Sequence, residues 1–205
     1  MQLQTEQTRK TPLARVGNEQ SFIERASQGD TEAFHKLFEH YKLPVFHFIT
    51  RMVGRPEDAE DITQEVFVRI YQRLPSLREP KAFSSWLFTT ARNESINYLR
   101  KKNRRQASSL EAMQENTVLA QPINQNSEKH NPEQIATEGE MASVVQNALS
   151  AIPEINRSAF VLGVLEGYSY KEVAEMLECS VNNVKLRVFR ARALLSQKLK
   201  PYFSR

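Results

Sequence analysis

Apolar residues recur at helical spacing along most of this chain, and no stretch alternates as a strand would. The helical pattern begins at Glu19, restarts after Asp30, continues past Pro44 to Gly54 and starts again at Pro56. It then predicts one longer helix over residues 81–105. After an interruption it returns from about residue 139 and lasts to the C-terminus. The pattern therefore predicts an all-α protein.

Two segments lack this apolar period. Residues 1–18 are polar and are predicted to form a disordered tail. Residues 106–138 carry five glutamates against one lysine and are rich in Gln, Asn and Ser, which is typical of a flexible acidic linker. We therefore expect two small helical domains, over residues 19–105 and 139–205.

The second domain contains the strongest local signals. Ser169 followed three residues later by Glu172 forms the pattern of a capping box, and Gly167 suits the end of the preceding helix. The helix that starts there is short and stops at a tight turn over residues 178–180, where Ser180 can cap the next helix. A short helix, a tight turn and a second helix predict a helix-turn-helix.

The second helix of this motif has two distinct sides. One side is apolar and is expected to be buried; it consists of Val184, Val188, Ala191 and Leu195. The other side carries Asn182, Lys185, Leu186, Phe189 and Arg190. From residue 182 to the end there are seven basic residues and no acidic one. Such a helix fits the major groove of DNA, where cations, amides and apolar side chains all find partners. A solvated basic helix end is the simpler alternative.

The helix predicted over residues 81–105 also has two sides. Leu87, Ala91 and Tyr98 mark a core face. The far side carries a stripe that a run of cations follows: Trp86, Thr90, Asn93, Asn97, Arg100, Lys101, Lys102, Arg104 and Arg105. Aromatic rings stack on unpaired bases, amides read base edges and cations hold the backbone. A purely structural role is an equally good interpretation of Trp86, because a lone tryptophan usually belongs to the core.

The helix that starts at Pro56 combines acidic and apolar positions. Its first acids complement the positive end of the helix dipole. Farther along, one side holds Ile62, Val66 and Ile70, and the other holds Asp61, Gln64, Glu65, Val68 and Tyr71. This mixed face predicts a docking surface for a basic protein partner.

Composition narrows the functional classes. The chain has 205 residues and a net charge of +4. Its single cysteine, Cys179, cannot form an internal disulfide, and its four histidines lack metal-ligand spacing. No phosphate-binding loop and no nucleophile motif is present, and no apolar run approaches the roughly 20 residues that span a bilayer. We expect a cytoplasmic protein, not inserted in a membrane, that is not an enzyme and needs no metal or cofactor.

Taken in order, these segments resemble a known family. The blocks are DAEDITQEVF at 58–67, FSSWL at 83–87, NYLR at 97–100, AIP at 151–153, GYSYKEVA at 167–174 and VKLRVFRAR at 184–192. Together they closely resemble the extracytoplasmic-function (ECF) sigma factors of bacterial RNA polymerase, in every part except the tail and the linker. The resemblance implies a sigma-2-like domain over 19–105 and a sigma-4-like domain over 139–205.

The resemblance also implies roles for particular residues. The helix over 58–73 would dock on the clamp helices of the polymerase β′ subunit, through Asp61, Gln64, Glu65 and Val68. The helix over 83–105 would capture and open the −10 promoter element, through Trp86, Asn93, Asn97, Arg100, Lys101 and Arg104. The helix-turn-helix would read the −35 element through Asn182, Asn183, Lys185, Leu186, Arg187, Phe189 and Arg190. Its domain would also sit on the β-subunit flap.

Further expectations follow from the family. Members are usually held inactive by an anti-sigma protein, so we expect such a partner and a stress or envelope-response regulon. The sequence departs from the family at Asn182-Asn183, where a Gly-Thr pair is frequent, and at Leu186, where Ser is common. These departures predict a different −35 sequence preference.

Two alternatives remain open from the residues alone. The first is an autonomous helix-turn-helix regulator that binds duplex DNA as a dimer and uses its N-terminal helices for sensing or dimerisation. The second is a protein-interaction adaptor in which the acidic helix carries the function and the basic helix is incidental.

Overall fold

The structure is a computed structural model that describes residues 18–115 and 138–203. The predicted tail and most of the predicted linker lie outside the described residues. Within them every regular element is a helix and none is a strand, as expected. The α-helices are α1 (Glu19–Ser27), α2 (Thr31–Val53), α3 (Pro56–Arg73), α4 (Phe83–Glu115), α5 (Glu138–Ser150), α6 (Glu154–Phe160), α7 (Tyr170–Met176) and α8 (Val181–Phe203). No helix in these two ranges has the length and apolarity needed to cross a membrane.

Local chemistry accounts for the boundaries of the N-terminal helices. The side chain of Asp30 accepts a hydrogen bond of 3.0 Å from the backbone N–H of Ala33 and so caps α2. Gly54 adopts a φ of 88° and ends α2 in the left-handed conformation, which favours glycine. Pro56 occupies the first turn of α3, where the missing N–H costs nothing. The helix α2 passes through Pro44 without interruption.

The N-terminal half is a bundle in which α2 packs against α1, α3 and α4. Its core is apolar and fully buried, and the predicted inward face of α3 contributes to it through Ile62, Val66 and Ile70. Two short 3-10 turns, Leu74–Ser76 and Pro80–Ala82, connect α3 to α4. This connection sets α4 alongside α3, so that the sides of both helices that face away from the core are neighbours.

The helix α4 is longer than its sequence pattern predicts. The expected end was residue 105, but the helix continues to Glu115. Residues 106–115 include alanine, leucine, methionine, glutamate and glutamine, which are good helix formers, so propensity prolongs the helix after its apolar period has stopped. The division of the chain into domains at 105 and 139 remains a prediction.

The C-terminal half is built from α5 to α8, with one irregular turn. After α6 the chain forms a π-helical turn over Val161–Leu165 and then reaches Gly167. Gly163 lies in this turn, and a side chain there would come within 3.1 Å of the Tyr170 ring. The close approach of α7 to the turn therefore depends on glycine.

The two halves also pack against each other. Helices α2 and α4 contact α5, α6 and α7, and the buried residues of both halves form one continuous cluster. At its centre Phe88 of α4 makes edge-to-face contacts with Phe48, at a ring distance of 5.7 Å, and with Tyr168, at 5.3 Å. The sequence indicated two domains but did not indicate this shared core.

Candidate nucleic-acid and polymerase interfaces

The helix-turn-helix is formed by α7 and α8, and its predicted caps are present. The Ser169 hydroxyl accepts from the backbone N–H of Glu172 at 3.3 Å, and the Ser169 backbone N–H donates to the Glu172 carboxylate at 2.8 Å. Gly167 has a φ of 80°, and Glu178 supplies the left-handed residue of the turn with a φ of 49°. The Ser180 hydroxyl accepts from the Asn183 N–H at 3.2 Å and caps α8. These bonds fix the angle at which α8 leaves the domain.

The two predicted sides of α8 are confirmed by burial. Val184, Val188, Ala191 and Leu195 lie in the core. Six of the seven predicted −35 residues are exposed to solvent: Asn182, Asn183, Lys185, Leu186, Phe189 and Arg190. Leu186 is 45% exposed and Phe189 is 70% exposed. A helix that presents amides, cations and two large apolar side chains on one convex surface can enter a major groove.

Arg187 is the exception among these residues. It is half-buried, and its Nη1 lies 3.4 Å from the Sγ of Cys179 in the turn. The side chain therefore contacts the turn of its own motif and projects less freely than its neighbours. Its position follows from helix geometry, because it flanks the buried Val184 and Val188.

The predicted base-capture stripe on α4 divides into two parts. Asn93, Asn97, Arg100, Lys101 and Arg104 are all exposed. Trp86 is half-buried, and its ring meets Phe83 edge-to-face at 6.4 Å. Part of the ring thus packs on the core and part is accessible at the surface. This position is compatible with both interpretations of Trp86, a core residue and a platform for base stacking.

Trp86 and Asn93 line a cavity between α3 and α4. The cavity has a volume of about 110 Å³, and Arg69, Ile70, Arg73, Thr90 and Glu94 complete its wall. Arg69 and Glu94 form an ion pair of 2.9 Å across it. Sequence reasoning missed the two arginines and the glutamate. Arg69 and Arg73 are four residues apart on α3 and so lie on the same face of the helix. This spacing could have indicated a shared basic site.

A second basic cavity follows farther along α4. It measures about 240 Å³ and is lined by Tyr98, Lys101, Lys102 and Arg105. Tyr98 donates a hydrogen bond to Asp58 of α3, and Lys102 lies 3.4 Å from the same carboxylate. The hydrogen bond from Tyr98, with the attraction of Lys102, lowers the pKa of Asp58. Burial, helped by this bond, raises the pKa of Tyr98 to about 12. These contacts tie the basic part of α4 to the start of α3.

The acidic face of α3 is open to solvent. Asp61, Gln64, Glu65 and Val68 are exposed, and Val68 has 54% of its surface accessible. The face continues to Tyr71, whose ring packs edge-to-face on Phe34 at 4.8 Å. The surface is therefore acidic at one end and apolar at the other.

No group of three residues able to hold a metal ion occurs within 18–115 or 138–203.

Comparison with known proteins defines the class of this chain. Residues 37–105 match the family model for sigma-70 region 2, and residues 143–195 match the model for sigma-70 region 4. The first range contains α3 and the N-terminal part of α4, and the second contains the helix-turn-helix. The chain is thus related to the sigma factors of the sigma-70 class.

Curated relatives make the assignment narrower. The chain is 33% identical over 194 residues to the ECF RNA polymerase sigma-E factor of Haemophilus influenzae, a match that covers 92% of this chain and 99% of that protein. It is 34% identical over 189 residues to the sigma-E factor of Escherichia coli K12, covering 91% and 97%. The protein belongs to the extracytoplasmic-function sigma factors of bacterial RNA polymerase.

Solved structures agree in fold. The structure of CnrH in complex with the cytosolic domain of CnrY matches with a TM-score of 0.65 and 21% identity, covering 89% of this chain and 97% of that one. The sigma factor RpoE of Bartonella quintana, in complex with the anti-sigma factor NepR, matches with a TM-score of 0.59 and 23% identity, covering 82% and 96%. The family assignment decides against the autonomous regulator and the adaptor.

Proposed function

We propose that this sigma factor divides promoter-directed initiation among three of its surfaces and performs no catalytic step itself. The acidic face of α3 docks on the β′ clamp helices of core polymerase. The α4 stripe with its cavity captures unpaired bases of the −10 element. The helix α8 reads the −35 element as duplex DNA while its domain sits on the β flap. The protein acts in the cytoplasm, where polymerase and promoter meet.

The outward surface of α8 carries this proposal. Exposed amides and cations alternate with buried apolar residues at helical spacing, and a capped turn holds the helix in place. Lys185 and Arg190 can bond guanine edges or phosphates, and Asn182 can pair with adenine. Leu186 and Phe189 can meet thymine methyl groups. A helix that contacted only phosphates would not require two exposed apolar side chains at these positions.

The energetics of the −10 step suit binding without ATP. Unstacking a base costs a few kcal/mol, and stacking it on a protein ring returns about 1–3 kcal/mol. The half-buried Trp86 and the exposed Asn93 both line the α3–α4 cavity. Arg73 in its wall adds positive charge for the phosphates, whereas Arg69 is paired with Glu94. Several such contacts together can offset the cost of a short melted segment.

Docking on polymerase is supported by the composition of the α3 face. Asp61 and Glu65 supply charge that attracts a basic partner, and Val68 supplies exposed apolar area next to them. Asp58 belongs to a different group, since it is engaged with Tyr98 and Lys102 inside the protein. The docking surface therefore begins after the first turn of α3.

Control by an anti-sigma protein is the regulatory part of the proposal. Two proteins with the same fold were solved with such partners or with a cytosolic domain of another protein, namely RpoE with NepR and CnrH with CnrY. The exposed apolar pair Leu186 and Phe189 would be covered either by DNA or by such a partner. The relatives' sigma-E name agrees with a stress or envelope-response regulon.

Run-off transcription tests the proposal. Purified core polymerase and fragmented genomic DNA are incubated with and without the protein, and the 5′ ends of new transcripts are mapped. We expect protein-dependent starts that share two upstream sequence blocks. The absence of new starts with a folded protein would refute the function.

Two pairs of variants separate the surfaces. The double variant D61K/E65K should abolish polymerase binding, whereas E24K/E32K, with the same change of charge on exposed residues of α1 and α2, should leave it intact.

In the second pair K185A/R190A should lower −35-dependent transcription roughly tenfold or more, since each good base contact contributes about 1–3 kcal/mol. Its control, K36A/K198A, removes two exposed lysines elsewhere. Polymerase binding that survives D61K/E65K would show that the docking face is wrong.

A further inference from the structure

The second basic cavity lies beside the base-capture stripe of α4. Helical periodicity places Tyr98, Lys102 and Arg105 roughly a third of a turn around α4 from Asn97 of the stripe. Because a helix with its side chains is about 10–12 Å across, the two surfaces are roughly 8–10 Å apart. The start of α3 is next to the cavity, since Asp58 contacts both Tyr98 and Lys102. Base capture on the stripe therefore does not account for this cavity.

Four cations lie in or beside the second basic cavity: Arg55, Lys101, Lys102 and Arg105. The Nζ of Lys102 lies 3.4 Å from the Oδ2 of Asp58, and the Nε of Arg55 lies 3.9 Å from the same oxygen. Arg55 also lies 4.0 Å from the carboxylate of Glu57, which is exposed. Positive charge at this place therefore exceeds negative charge.

The cations at the cavity are only loosely engaged. Strong hydrogen bonds between a cation and a carboxylate are about 2.7–2.9 Å long, so the contacts of Lys102 and Arg55 with Asp58, at 3.4 and 3.9 Å, are long ones. Lys101 and Arg105 form no ion pair with another residue of the ranges 18–115 and 138–203. All four cations can therefore bind a further anion without breaking a short ion pair.

The chemistry and size of the cavity select the kind of anion. A phosphate group offers several acceptor oxygens, and it is the usual partner of the forked arginine guanidinium and the lysine ammonium. The cavity volume of about 240 Å³ is smaller than the roughly 300–1,000 Å³ of sites that enclose a drug-sized ligand. There is room for a phosphate group, while the rest of a larger molecule would stay outside.

We propose that the second basic cavity is a phosphate site, in which Lys102 and Arg105 of α4, with Arg55 before α3, bind a phosphate group. Asp58 keeps these cations near one another when no phosphate is bound. The phosphate belongs to the DNA backbone or to a free phosphate compound, and the position beside the stripe favours DNA. A nucleotide carries its base and its phosphate on opposite sides of its sugar, so a base on the stripe can place its phosphate at the cavity. The DNA source rests on the promoter-reading role proposed above, whereas the phosphate site itself does not.

Titration with pyrophosphate tests the site without DNA or polymerase. The full-length protein is titrated with sodium pyrophosphate in a metal-free buffer of low salt, and the heat of binding is measured. K102A/R105A should weaken binding at least tenfold, because it removes two charged donors. D58N should tighten binding roughly threefold, since it keeps the shape of the side chain and removes the negative charge beside the cations. The control K36A/K198A removes two exposed lysines elsewhere and should keep the wild-type affinity.

Salt dependence tests the DNA source. Polymerase that contains the protein is bound to a promoter fragment mapped by run-off transcription, and its affinity is measured at several salt concentrations. K102A/R105A should lower the slope of log affinity against log salt by roughly 1–2 and leave the base preference at the −10 element unchanged. N97A, on the stripe, should change the base preference and keep the slope. K36A/K198A should keep both.

The outcomes separate the two sources of phosphate from each other and from the proposed function. If K102A/R105A changes only the salt slope, the site takes the DNA backbone; if it changes only pyrophosphate affinity, the site takes a free phosphate compound; a change in both supports a site that accepts either. If K102A/R105A behaves like K36A/K198A in both assays, the cations are a solvated helix end and the proposal is overturned. Cavity-dependent pyrophosphate binding without any promoter-dependent complex would refute promoter reading and leave the phosphate site standing.

Discussion

Two phenylalanines of this protein have opposite environments. Replacing each with alanine tests whether the buried one stabilises the fold and the exposed one serves DNA binding. Phe88 is fully buried at the contact between the two halves, whereas Phe189 is 70% exposed on the reading surface of α8. F88A and F189A remove the same atoms. We expect F88A to destabilise the fold and F189A to leave stability intact while it weakens −35-dependent transcription.

The magnitudes follow from the contacts. Truncation of a buried phenylalanine to alanine costs about 3–5 kcal/mol, because transfer and cavity terms add. Phe88 also loses two edge-to-face pairs, with Phe48 at 5.7 Å and Tyr168 at 5.3 Å, each contributing about 0.5–1.5 kcal/mol. We therefore place F88A at the upper end, near 5 kcal/mol. The exposed F189A should stay within about 0.5 kcal/mol of the wild type.

Urea unfolding followed by circular dichroism measures these differences, and run-off transcription with the same preparations measures function. F88L serves as an intermediate, with an expected loss of about 1–1.5 kcal/mol. The reasoning would be refuted if F88A lost less than about 1 kcal/mol, or if F189A destabilised the protein as much as F88A.

Three further predictions concern single groups. The pKa of Tyr98 is raised to about 12, so its stabilising contribution is complete below about pH 10, the ordinary tyrosine pKa, and is lost as the pH rises toward 12. Measured by urea unfolding, the free energy of unfolding of Y98F should thus fall less than that of the wild type over this pH range. The same pH dependence in both proteins would contradict a raised pKa of Tyr98. S169A should cost about 1 kcal/mol by removing the capping box, with S169T as its control; equal losses in both would place the effect elsewhere. G54A should cost about 1–2 kcal/mol, because Gly54 has a φ of 88° and an added methyl would lie 3.3 Å from the Ser150 hydroxyl; unchanged thermal unfolding would exclude that strain.

Features of this protein that depend on neighbours in sequence could be predicted from the sequence. The capping box at Ser169 and Glu172 spans three residues, so its chemistry is visible in the letters alone. The buried side of α8 follows from a repeat of 3.6 residues, and Asp30 and Pro56 mark helix starts by their own conformational preferences. Exposure of the predicted surfaces on α3 and α8 was predictable for the same reason.

Features that depend on distant partners could not be predicted in this way. An arginine in an amphipathic helix is expected at the surface. The residues near Arg157 in sequence do not indicate that it is buried and donates hydrogen bonds to carbonyls at the ends of two other helices. The ion pair of Arg69 and Glu94 joins α3 to α4, and neither residue disturbs the apolar period of its own helix. The contact of Thr89 with Met176 spans 87 residues. Such contacts arise from tertiary packing, which the period of each helix leaves undetermined.

The position of Trp86 gives the protein a built-in optical probe. It is the single tryptophan of the chain, so all indole emission originates from the wall of the α3–α4 cavity. A base that stacks on this half-buried ring would quench the emission, and displacement of water from the cavity would shift it to shorter wavelength. Strand capture at the −10 element can therefore be followed in real time, in unlabelled protein, without any change to the sequence.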